Sequence, residues 1–351
     1  MSSSSIHTLK TWRYAPSTDS FELKAVDRAL GPREVLVKTT HSGLCYTDVH
    51  AKTKGCGLGH EGVGHIVAIG SEVTAHRVRT RVGWGWLHHS CGNCRTCVTG
   101  YHQYCAQARG FAYGELDQGA FGDYAIWDET FVYAIPDNIP SAAAGPLMCA
   151  GASVYEALVV AGTKPSDHVG VVGIGGLGHL AVLFAKAMGC GVTALSSHEG
   201  KKMDASRLGA DVFRNASSPD QSWETPSMSV PGCREAGINT LLICTNEVPP
   251  LEPLLPLLAP QATIIPMTIQ TTPISIPFLP FILPGHRIVA STEASKQNHI
   301  DMLQFASRHR IMPAIEEFPM NNVGLREAFR KLEAGNMRYR GVLVQKGSSK
   351  T

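Results

Sequence analysis

The sequence has almost no excess of charge of either sign. Its 31 Lys and Arg residues stand against 29 Asp and Glu residues, which leaves a formal net charge of +2. A chain this balanced creates no field that would hold nucleic acid or a membrane surface, so we expect neither as a partner. Hydrophobic residues make up 44% of its 351 residues, enough to bury the cores of about two domains.

The sequence also lacks an uninterrupted apolar run long enough to cross a membrane. Its most apolar region, residues 251–283, contains seven prolines, whereas a spanning helix needs about 20 apolar residues with intact backbone hydrogen bonds. Residues 1–12 have no apolar stretch of the kind that a signal peptide carries. These absences predict a cytoplasmic protein. Because disulfides are rare in the cytosol, the ten cysteines need another explanation.

Four of the cysteines lie within fifteen residues, with the spacing C-x2-C-x2-C-x7-C. They are Cys91, Cys94, Cys97 and Cys105. Four thiolates this close can surround one tetrahedral zinc ion, and a site closed by four protein ligands is structural because no position is left for a substrate. An iron–sulfur cluster also uses four cysteines, so the ligand set by itself leaves that alternative open.

Three further candidate ligands are scattered along the chain. Cys45 lies in GLCYTDVH, His60 in GHEGVG and Cys149 in LMCAG. Two cysteines and one histidine form a zinc site with an open fourth position, which is what catalysis on a bound oxygen requires. Each residue taken singly fits a structural role equally well, Cys149 as a packed core residue above all. Spacing by itself therefore leaves both interpretations open.

A glycine-rich loop predicts a nucleotide site. Residues 168–172 have the pattern of a buried strand, and residues 179–189 have the apolar periodicity of a helix. Between them lies G-x-G-x-x-G, in which the candidate contacts are Gly173, Gly175, Gly176, Leu177 and Gly178. In this context the glycines allow a tight turn and close approach of a pyrophosphate to the helix N-terminus.

The end of the next predicted strand, residues 191–195, indicates which dinucleotide binds. NAD sites usually carry an acidic residue there for the ribose 2′-hydroxyl. This chain has Ser196 and Ser197, followed by Lys201. Hydroxyl and ammonium groups suit a 2′-phosphate, so we predict NADP(H). Glu199 is the residue that keeps NAD open as an alternative.

Further elements follow in alternation, which is typical of an α/β domain. The patterns predict strands over residues 238–244, 262–267 and 288–290, and a helix over residues 302–309.

Six motifs in order resemble the zinc-dependent medium-chain alcohol dehydrogenases, and among them the cinnamyl-alcohol-dehydrogenase-like branch that uses NADP. They are GLCYTDVH, GHEGVG, the four-cysteine lobe, PLMCAGASVYEAL, VVGIGGLGHLA and MRYRGVLV. The resemblance extends from about residue 35 to residue 344. It implies an α/β protein with a GroES-like β-rich catalytic domain over 1–152 and 290–351. A Rossmann domain with a doubly wound parallel sheet is implied over 153–289, and the active site is expected in the cleft between the domains.

The resemblance also implies a role for individual residues. Cys45, His60 and Cys149 become ligands of a catalytic zinc, with Glu61 as a glutamate that can approach the metal. The other implied roles belong to Asp48 (orienting the histidine ligand), Thr47 (touching the substrate oxygen), His50 (ending a proton relay), Ser153 and Arg340 (contacting the cofactor). With the four-cysteine lobe, two zinc ions per chain are expected.

The implied reaction is hydride transfer between NADP(H) and a zinc-bound alcohol or carbonyl compound, and the implied partners are a small-molecule substrate and a second copy of the chain in a homodimer. Two departures from the family pattern stand out. Tyr46 replaces a His or Arg that is common beside the cofactor phosphates, and the segment between Cys45 and His60, which helps to wall the substrate cleft in the family, is unusually short. The short segment keeps open an alternative, NADPH-dependent reduction of an activated C=C or C=N bond in a specialised metabolite. A zinc-organised nucleic-acid module is disfavoured because Arg95 is the only strong base in the lobe.

Overall fold

The computed structural model describes residues 5–216 and 237–348. The chain divides into two compact units, one formed by Met1–Ala152 with Glu293–Thr351 and the other by Ser153–Thr292.

Over the described residues the strands, in chain order, are β1 (Ile6–Ala15), β2 (Ser20–Ala29), β3 (Glu34–Leu44), β4 (Glu61–Ile69), β5 (Arg81–Trp84), β6 (Leu87–His89), β7 (Arg109–Phe111), β8 (Gly114–Glu115), β9 (Tyr124–Asp128), β10 (Val132–Ala134), β11 (His168–Val172), β12 (Gly191–Ser196), β13 (Val212–Asn215), β14 (Ile238–Ile243), β15 (Leu258–Pro266), β16 (Arg287–Ile288), β17 (Ile315–Pro319) and β18 (Arg340–Val344).

The α-helices over the same residues are α1 (Tyr46–Ala51), α2 (Arg95–Val98), α3 (Ser141–Pro146), α4 (Ala152–Val160), α5 (Gly178–Ala187), α6 (Lys202–Leu208), α7 (Phe278–Ile282), α8 (Lys296–His309) and α9 (Asn322–Glu333). A π-helical turn, Leu147–Gly151, joins α3 to α4.

The first unit is built around a mainly antiparallel sheet with the strand order β10-β5-β4-β3-β18-β17, and β9 also pairs with β3. Its aromatic core contains Trp84, Trp127 and Phe131. The central strand β3 pairs antiparallel with both β4 and β18. As a result, the end of β3 lies beside the beginnings of β4 and β18, and Cys45, His60, Glu61 and Arg340 lie at or next to these three strand ends.

The second unit contains a six-stranded parallel sheet with the order β13-β12-β11-β14-β15-β16. This is the strand order of a doubly wound dinucleotide-binding domain, as predicted. The strand predicted from residue 262 begins earlier, at Leu258, because an irregular register between β14 and β15 lets the chain continue pairing past Gln261, which has a φ of 61°.

The helix predicted from Met302 begins six residues earlier, at Lys296. Its polar first turn hides the start in the apolar pattern, but the Ser295 side chain accepts a hydrogen bond from Asn298 N and caps the helix. The helical stretch Ser141–Val160 has the length and apolarity of a membrane span, yet 72% of its most apolar window is buried in the protein. That burial is what a core helix shows.

Candidate metal centres and cofactor site

Cys45, His60, Glu61 and Cys149 are brought together in the first unit. Their candidate ligand atoms all lie within 4.8 Å of one another. Cys45 follows β3 and caps the start of α1, whereas His60 and Glu61 stand at the start of β4. Cys149 lies in the π-helical turn after α3. Three separate segments of the chain therefore supply one compact group of thiol, imidazole and carboxylate side chains.

Glycine at two positions makes this convergence sterically possible. Gly43 pairs with Glu61 across β3 and β4. A Cβ atom at Gly43 would lie 1.8 Å from Glu61 Oε2, and one at Gly145 would lie 2.9 Å from Gly43 N. Because neither site has room for a side chain, the glycines let β3 approach both the glutamate and the helix that leads to Cys149.

Asp48 holds two of the candidate ligands in place. Its fully buried carboxylate accepts hydrogen bonds from His60 Nδ1 (3.1 Å), Gly59 N (3.1 Å) and Cys45 N (2.9 Å). Burial tends to lower the pKa of His60, but Asp48 and Cys45 outweigh burial and raise it well above its usual value. With Nδ1 bound to Asp48, the Nε2 atom of His60 is buried and has no hydrogen-bond partner in the described part of the chain.

A hydrogen bond between the two thiols lowers the pKa of Cys45 well below its usual value and raises the pKa of Cys149 well above its own. A half-buried thiolate, a second thiol and an imidazole nitrogen without a partner are the donors that zinc prefers. These residues therefore fit a zinc ion.

Glu61 forms a buried ion pair with Arg340, whose guanidinium donates to Glu61 Oε1. Burial raises the pKa of Glu61 to about 7 although Arg340 works in the opposite direction. Sequence reasoning did not find this pair, because the partners are far apart along the chain. The resemblance implies a cofactor contact for Arg340, and the structure adds this second role beside the metal ligands.

Helix α1 carries the residues of the implied proton relay. The Cys45 thiol donates to Thr47 Oγ1 at 3.6 Å. His50 lies one helical turn beyond Thr47 and is exposed, with its ring 5.3 Å from that of Tyr46 in an edge-on arrangement. The helix thus leads from the candidate ligands to solvent.

The four cysteines of the lobe form a second compact group, and their candidate ligand atoms also lie within 4.8 Å of one another. Three measured sulfur–sulfur distances are 3.5, 3.6 and 3.9 Å. Tetrahedral zinc with Zn–S bonds of about 2.3 Å requires separations of roughly 3.8 Å, so the spacing fits a single ion. This favours zinc over a cluster of several irons, in which the thiolates bind different metal atoms.

Local backbone geometry supports this lobe. Gly92 and Gly100 have φ values of 74° and 90°, which glycine adopts without strain. Backbone N–H groups of Cys94 and Gln107 donate to cysteine sulfurs, and the Thr96 hydroxyl helps to lower the pKa of Cys94 to about 6. Such bonds stabilise thiolates, which is the form that binds a metal.

In the second unit, the glycine loop joins β11 to α5 as predicted. Gly173 has a φ of 88°, and a Cβ atom at Gly178 would lie 1.9 Å from Gly173 O, so both positions require glycine. A Cβ atom at Gly175 would meet nothing within 4 Å among the described atoms. The loop therefore presents bare backbone beside open space, which fits the approach of a pyrophosphate.

The residues predicted to select the dinucleotide lie near this loop. Lys201 Nζ donates to Ile174 O at 2.6 Å, which places an ammonium group against the glycine loop. Ser196, at the end of β12, is buried and accepts from His198 N at 3.2 Å, whereas Ser197 is exposed. Glu199 is exposed and pairs with Lys202 at 3.8 Å. Ser153, in α4, is half-buried.

Comparisons with known proteins agree with this geometry. Residues 31–137 match the family described as "Alcohol dehydrogenase GroES-like domain", and residues 176–308 match "Zinc-binding dehydrogenase". The chain is 34% identical to cinnamyl alcohol dehydrogenase 8 of Arabidopsis thaliana over 90% of this chain and 89% of that protein. It is 35% identical to vomilenine reductase of Rauvolfia serpentina, over the same shares of each chain.

Two solved structures share the whole fold. A cinnamyl alcohol dehydrogenase of Sorghum bicolor superposes with a TM-score of 0.86, 31% identity and coverage of 98% of this chain and 99% of that one. The cinnamyl alcohol dehydrogenase of Helicobacter pylori complexed with NADP(H) superposes with a TM-score of 0.85 and 25% identity. The match covers 98% of this chain and 100% of that one. The predicted resemblance and fold class are confirmed. This chain belongs to the zinc-binding medium-chain alcohol dehydrogenases, oxidoreductases that act on alcohols and aldehydes.

Proposed function

We propose that the chain is an NADP(H)-dependent alcohol dehydrogenase and aldehyde reductase whose reaction takes place at Cys45, His60 and Cys149. The convergence of these three residues, with Glu61, within 4.8 Å is the observation that carries the proposal. Two thiolates and a neutral imidazole leave a zinc ion one open position for an alcohol or carbonyl oxygen. The unit that contains them would be the catalytic domain, and the unit with the glycine loop the cofactor domain.

Zinc held by these residues supplies Lewis acidity, which polarises a carbonyl oxygen and lowers the pKa of an alcohol. Asp48 keeps the His60 imidazole oriented through its 3.1 Å hydrogen bond. Thr47 offers a hydroxyl beside the ligand Cys45, where it can pass a proton to or from the substrate oxygen. His50, exposed one turn along α1, exchanges that proton with solvent.

The cofactor proposal rests on the charge near the glycine loop. Gly173, Gly175, Gly176, Leu177 and Gly178 would cradle the pyrophosphate. Lys201, with Ser196 and Ser197, would receive the 2′-phosphate of NADP(H), and the similar Helicobacter pylori enzyme is described as complexed with NADP(H). Ser153 and Arg340 are proposed as further cofactor contacts. The lobe of four cysteines would hold the second, structural zinc.

The proposed assembly is a homodimer. Several apolar side chains around α7 are highly exposed, including Phe278 (69%), Leu279 (63%) and Leu283 (80%). They lie next to β16, a two-residue strand at the edge of the parallel sheet. Exposed apolar groups beside a sheet edge favour pairing with a second copy. We also propose a cytoplasmic location, because both sites need reduced thiolates.

Reduction of an activated C=C or C=N bond is the second candidate. Vomilenine reductase and 1,2-dihydrovomilenine reductase of Rauvolfia serpentina are among the similar proteins, at 35% and 34% identity. The segment between Cys45 and His60 has only fourteen residues, and we expect it to give the substrate pocket a different shape. The hydroxyl of Thr47 beside Cys45 favours the alcohol reaction, which needs a proton path to oxygen.

Metal analysis, cofactor titration and a substrate panel test the proposal together. Wild type should hold two zinc ions per chain, bind NADPH more tightly than NADH and reduce aldehydes faster than enals or imines. Cys45→Ala and His60→Ala should each lose one zinc and all turnover while keeping NADPH affinity.

Cys190→Ser is the matched control for these variants. Cys190 is buried but donates only to Lys164 O at 3.3 Å, so this variant should keep both zinc ions and its activity. Turnover in the two ligand variants equal to that of wild type would remove the metal from the mechanism.

A further inference from the structure

Glu293 is an acidic side chain near the candidate metal ligands that no motif and no implied role accounts for. It lies three residues before α8 and has a φ of 57°, in the left-handed region that side chains other than glycine seldom adopt. The side chain is half-buried. It lines a cavity together with Gly85, where a Cβ atom would lie 2.6 Å from the carbonyl oxygen of Met148, the residue next to the candidate ligand Cys149. A strained backbone at such a place points to a functional constraint.

The other two acidic groups around this centre each have a partner in the protein, although Oε2 of Glu61 has none among the described residues. Asp48 has three hydrogen-bond donors, and Glu61 is paired with Arg340. Within the described residues, the half-buried Glu293 carboxyl has neither a hydrogen bond nor an ion pair. A half-buried carboxylate without a partner loses part of its hydration and gains no contact in return. A ligand that brings a positive charge would remove this cost.

The space beside Glu293 has the size and the polar groups for such a ligand. A cavity of about 10 Å³ is lined by Glu293, Trp86, Gln103 and His299, among others. That volume holds about one water-sized group, and an ammonium head is of that size. The buried amide of Gln103 and Nε2 of His299 have no hydrogen-bond partners in the described chain. Burial lowers the pKa of His299 to about 3, so its imidazole is neutral and can accept a hydrogen bond.

The cavity also has an aromatic wall and lies close to a metal ligand. A Cβ atom at Gly110 would lie 2.6 Å from the Trp86 ring, so the glycine allows the indole to pack flat against the backbone. Aromatic faces attract ammonium groups. At Gly85 a Cβ atom would lie 2.6 Å from Met148 O and 3.7 Å from His299 Cε1. The backbone next to Cys149 therefore borders the cavity.

We propose that Glu293 binds an ammonium group of the substrate in this cavity, and that the preferred substrates are alcohols and aldehydes with an amino group at a distance from the reacting carbon. An ammonium group offers three N–H donors to the Glu293, Gln103 and His299 acceptors. Lys296 also lines the cavity but forms no ion pair with Glu293 among the described residues. The inference rests on the proposed function. The proposed catalytic site binds the reacting oxygen of the substrate, and Glu293 binds the amino group at the other end of the same molecule.

The test compares straight-chain amino alcohols with unsubstituted alcohols of equal heavy-atom count, as substrates for the zinc-loaded enzyme with NADP+. In wild type, the best amino alcohol should exceed its neutral counterpart roughly 10- to 100-fold in kcat/KM, the range of one charge-assisted hydrogen bond. Glu293→Gln should remove that preference, mainly through KM, and leave the neutral alcohols within about 3-fold. Glu72→Gln, at an exposed position, is the matched control and should change neither.

A binding measurement separates this role from a structural one. A simple alkylammonium salt should inhibit wild type in competition with the amino alcohol, and it should bind at least 10-fold more weakly to Glu293→Gln. The inference would be overturned if wild type oxidised amino alcohols and neutral alcohols with equal kcat/KM and were not inhibited by alkylammonium. The cavity would then hold only a water molecule, and the behaviour of Glu293→Gln would not change that conclusion. Failure of the proposed function would look different, since neither series would then be oxidised.

Discussion

The replacement of Asp48 by asparagine tests the architecture of the catalytic centre most directly. The carboxylate accepts three hydrogen bonds, two at Oδ1 from Gly59 N and His60 Nδ1 and one at Oδ2 from Cys45 N. An asparagine has one acceptor oxygen, and its NH2 group must face at least one of these donors. The least harmful orientation leaves the Cys45 N–H unpaired. A buried donor without a partner costs about 1–3 kcal/mol, so the free energy of unfolding should fall by that amount.

The same replacement should weaken one metal site and spare the other. A neutral amide oxygen holds the imidazole less firmly than a carboxylate and makes it a weaker ligand. Loss of such an orienting partner typically reduces metal affinity 10- to 100-fold. We therefore expect competition with a chelator to remove one of two zinc ions from Asp48→Asn at roughly 10- to 100-fold lower chelator concentration. The zinc in the four-cysteine lobe should dissociate as in wild type.

Asp117→Asn is the matched control for this experiment, because Asp117 is exposed and pairs only loosely with Arg13, at 3.7 Å. Its chelation curve and urea midpoint should overlay those of wild type. If Asp48→Asn retained both zinc ions as tightly as wild type and unfolded at the same urea concentration, the buried carboxylate would have no part in holding the ligands. The placement of His60 would then need another explanation.

Three further predictions concern other parts of the molecule. Gly178→Ala places a methyl group 1.9 Å from Gly173 O, so this variant should lose both about 1–3 kcal/mol of stability and its NADPH binding. Gly175→Ala meets no atom within 4 Å and should lose only the NADPH binding. Urea unfolding measures the stability, and fluorescence titration measures the binding. Cys97→Ser should lose one zinc and lower the melting temperature while NADPH affinity stays unchanged, and an unchanged zinc content would refute the four-cysteine site. His299 has a pKa lowered to about 3, so the unfolded chain binds a proton that the native state excludes, and stability should fall by up to about 1.4 kcal/mol per unit as the pH drops below about 6.5. In His299→Phe, the free energy of unfolding measured with urea should change less with pH between about 6.5 and about 3 than it does in wild type. The same pH dependence in both proteins would contradict the burial of His299.

Local patterns were enough to predict the two parts of the molecule whose residues are close together in sequence. The cysteines of the four-cysteine lobe are separated by only two, two and seven residues. Their sulfur atoms lie at distances from one another that fit a single bound ion. The glycine loop is likewise local, because Gly173 and Gly178 meet each other across one turn. The parallel strands predicted from buried apolar runs and the helix predicted from Met302 were found, and their ends differ where an irregular strand register or a polar first helical turn hides the pattern.

The catalytic centre depended on tertiary structure. The antiparallel register of β3 with β4 sets Gly43 opposite Glu61, and the π-helical turn brings Cys149 to them. Strand register and helix packing are decided by which faces are buried across the whole sheet, so no spacing in the sequence encodes these distances. The ligand set was therefore predicted from the resemblance to a family and not from the spacing of the residues.

Two features were beyond any motif and were revealed only by the fold. Arg340 pairs with Glu61 because β18 lies against β3, whereas Glu293 has no partner among the described residues although polar side chains line the same cavity. A charged residue has no pattern in sequence that tells whether it will be satisfied, since its partners come from distant elements. The sequence by itself determined which metal-binding and nucleotide-binding groups the chain contains. The three-dimensional packing decided which charged side chains find a partner within the protein and which remain available to a substrate.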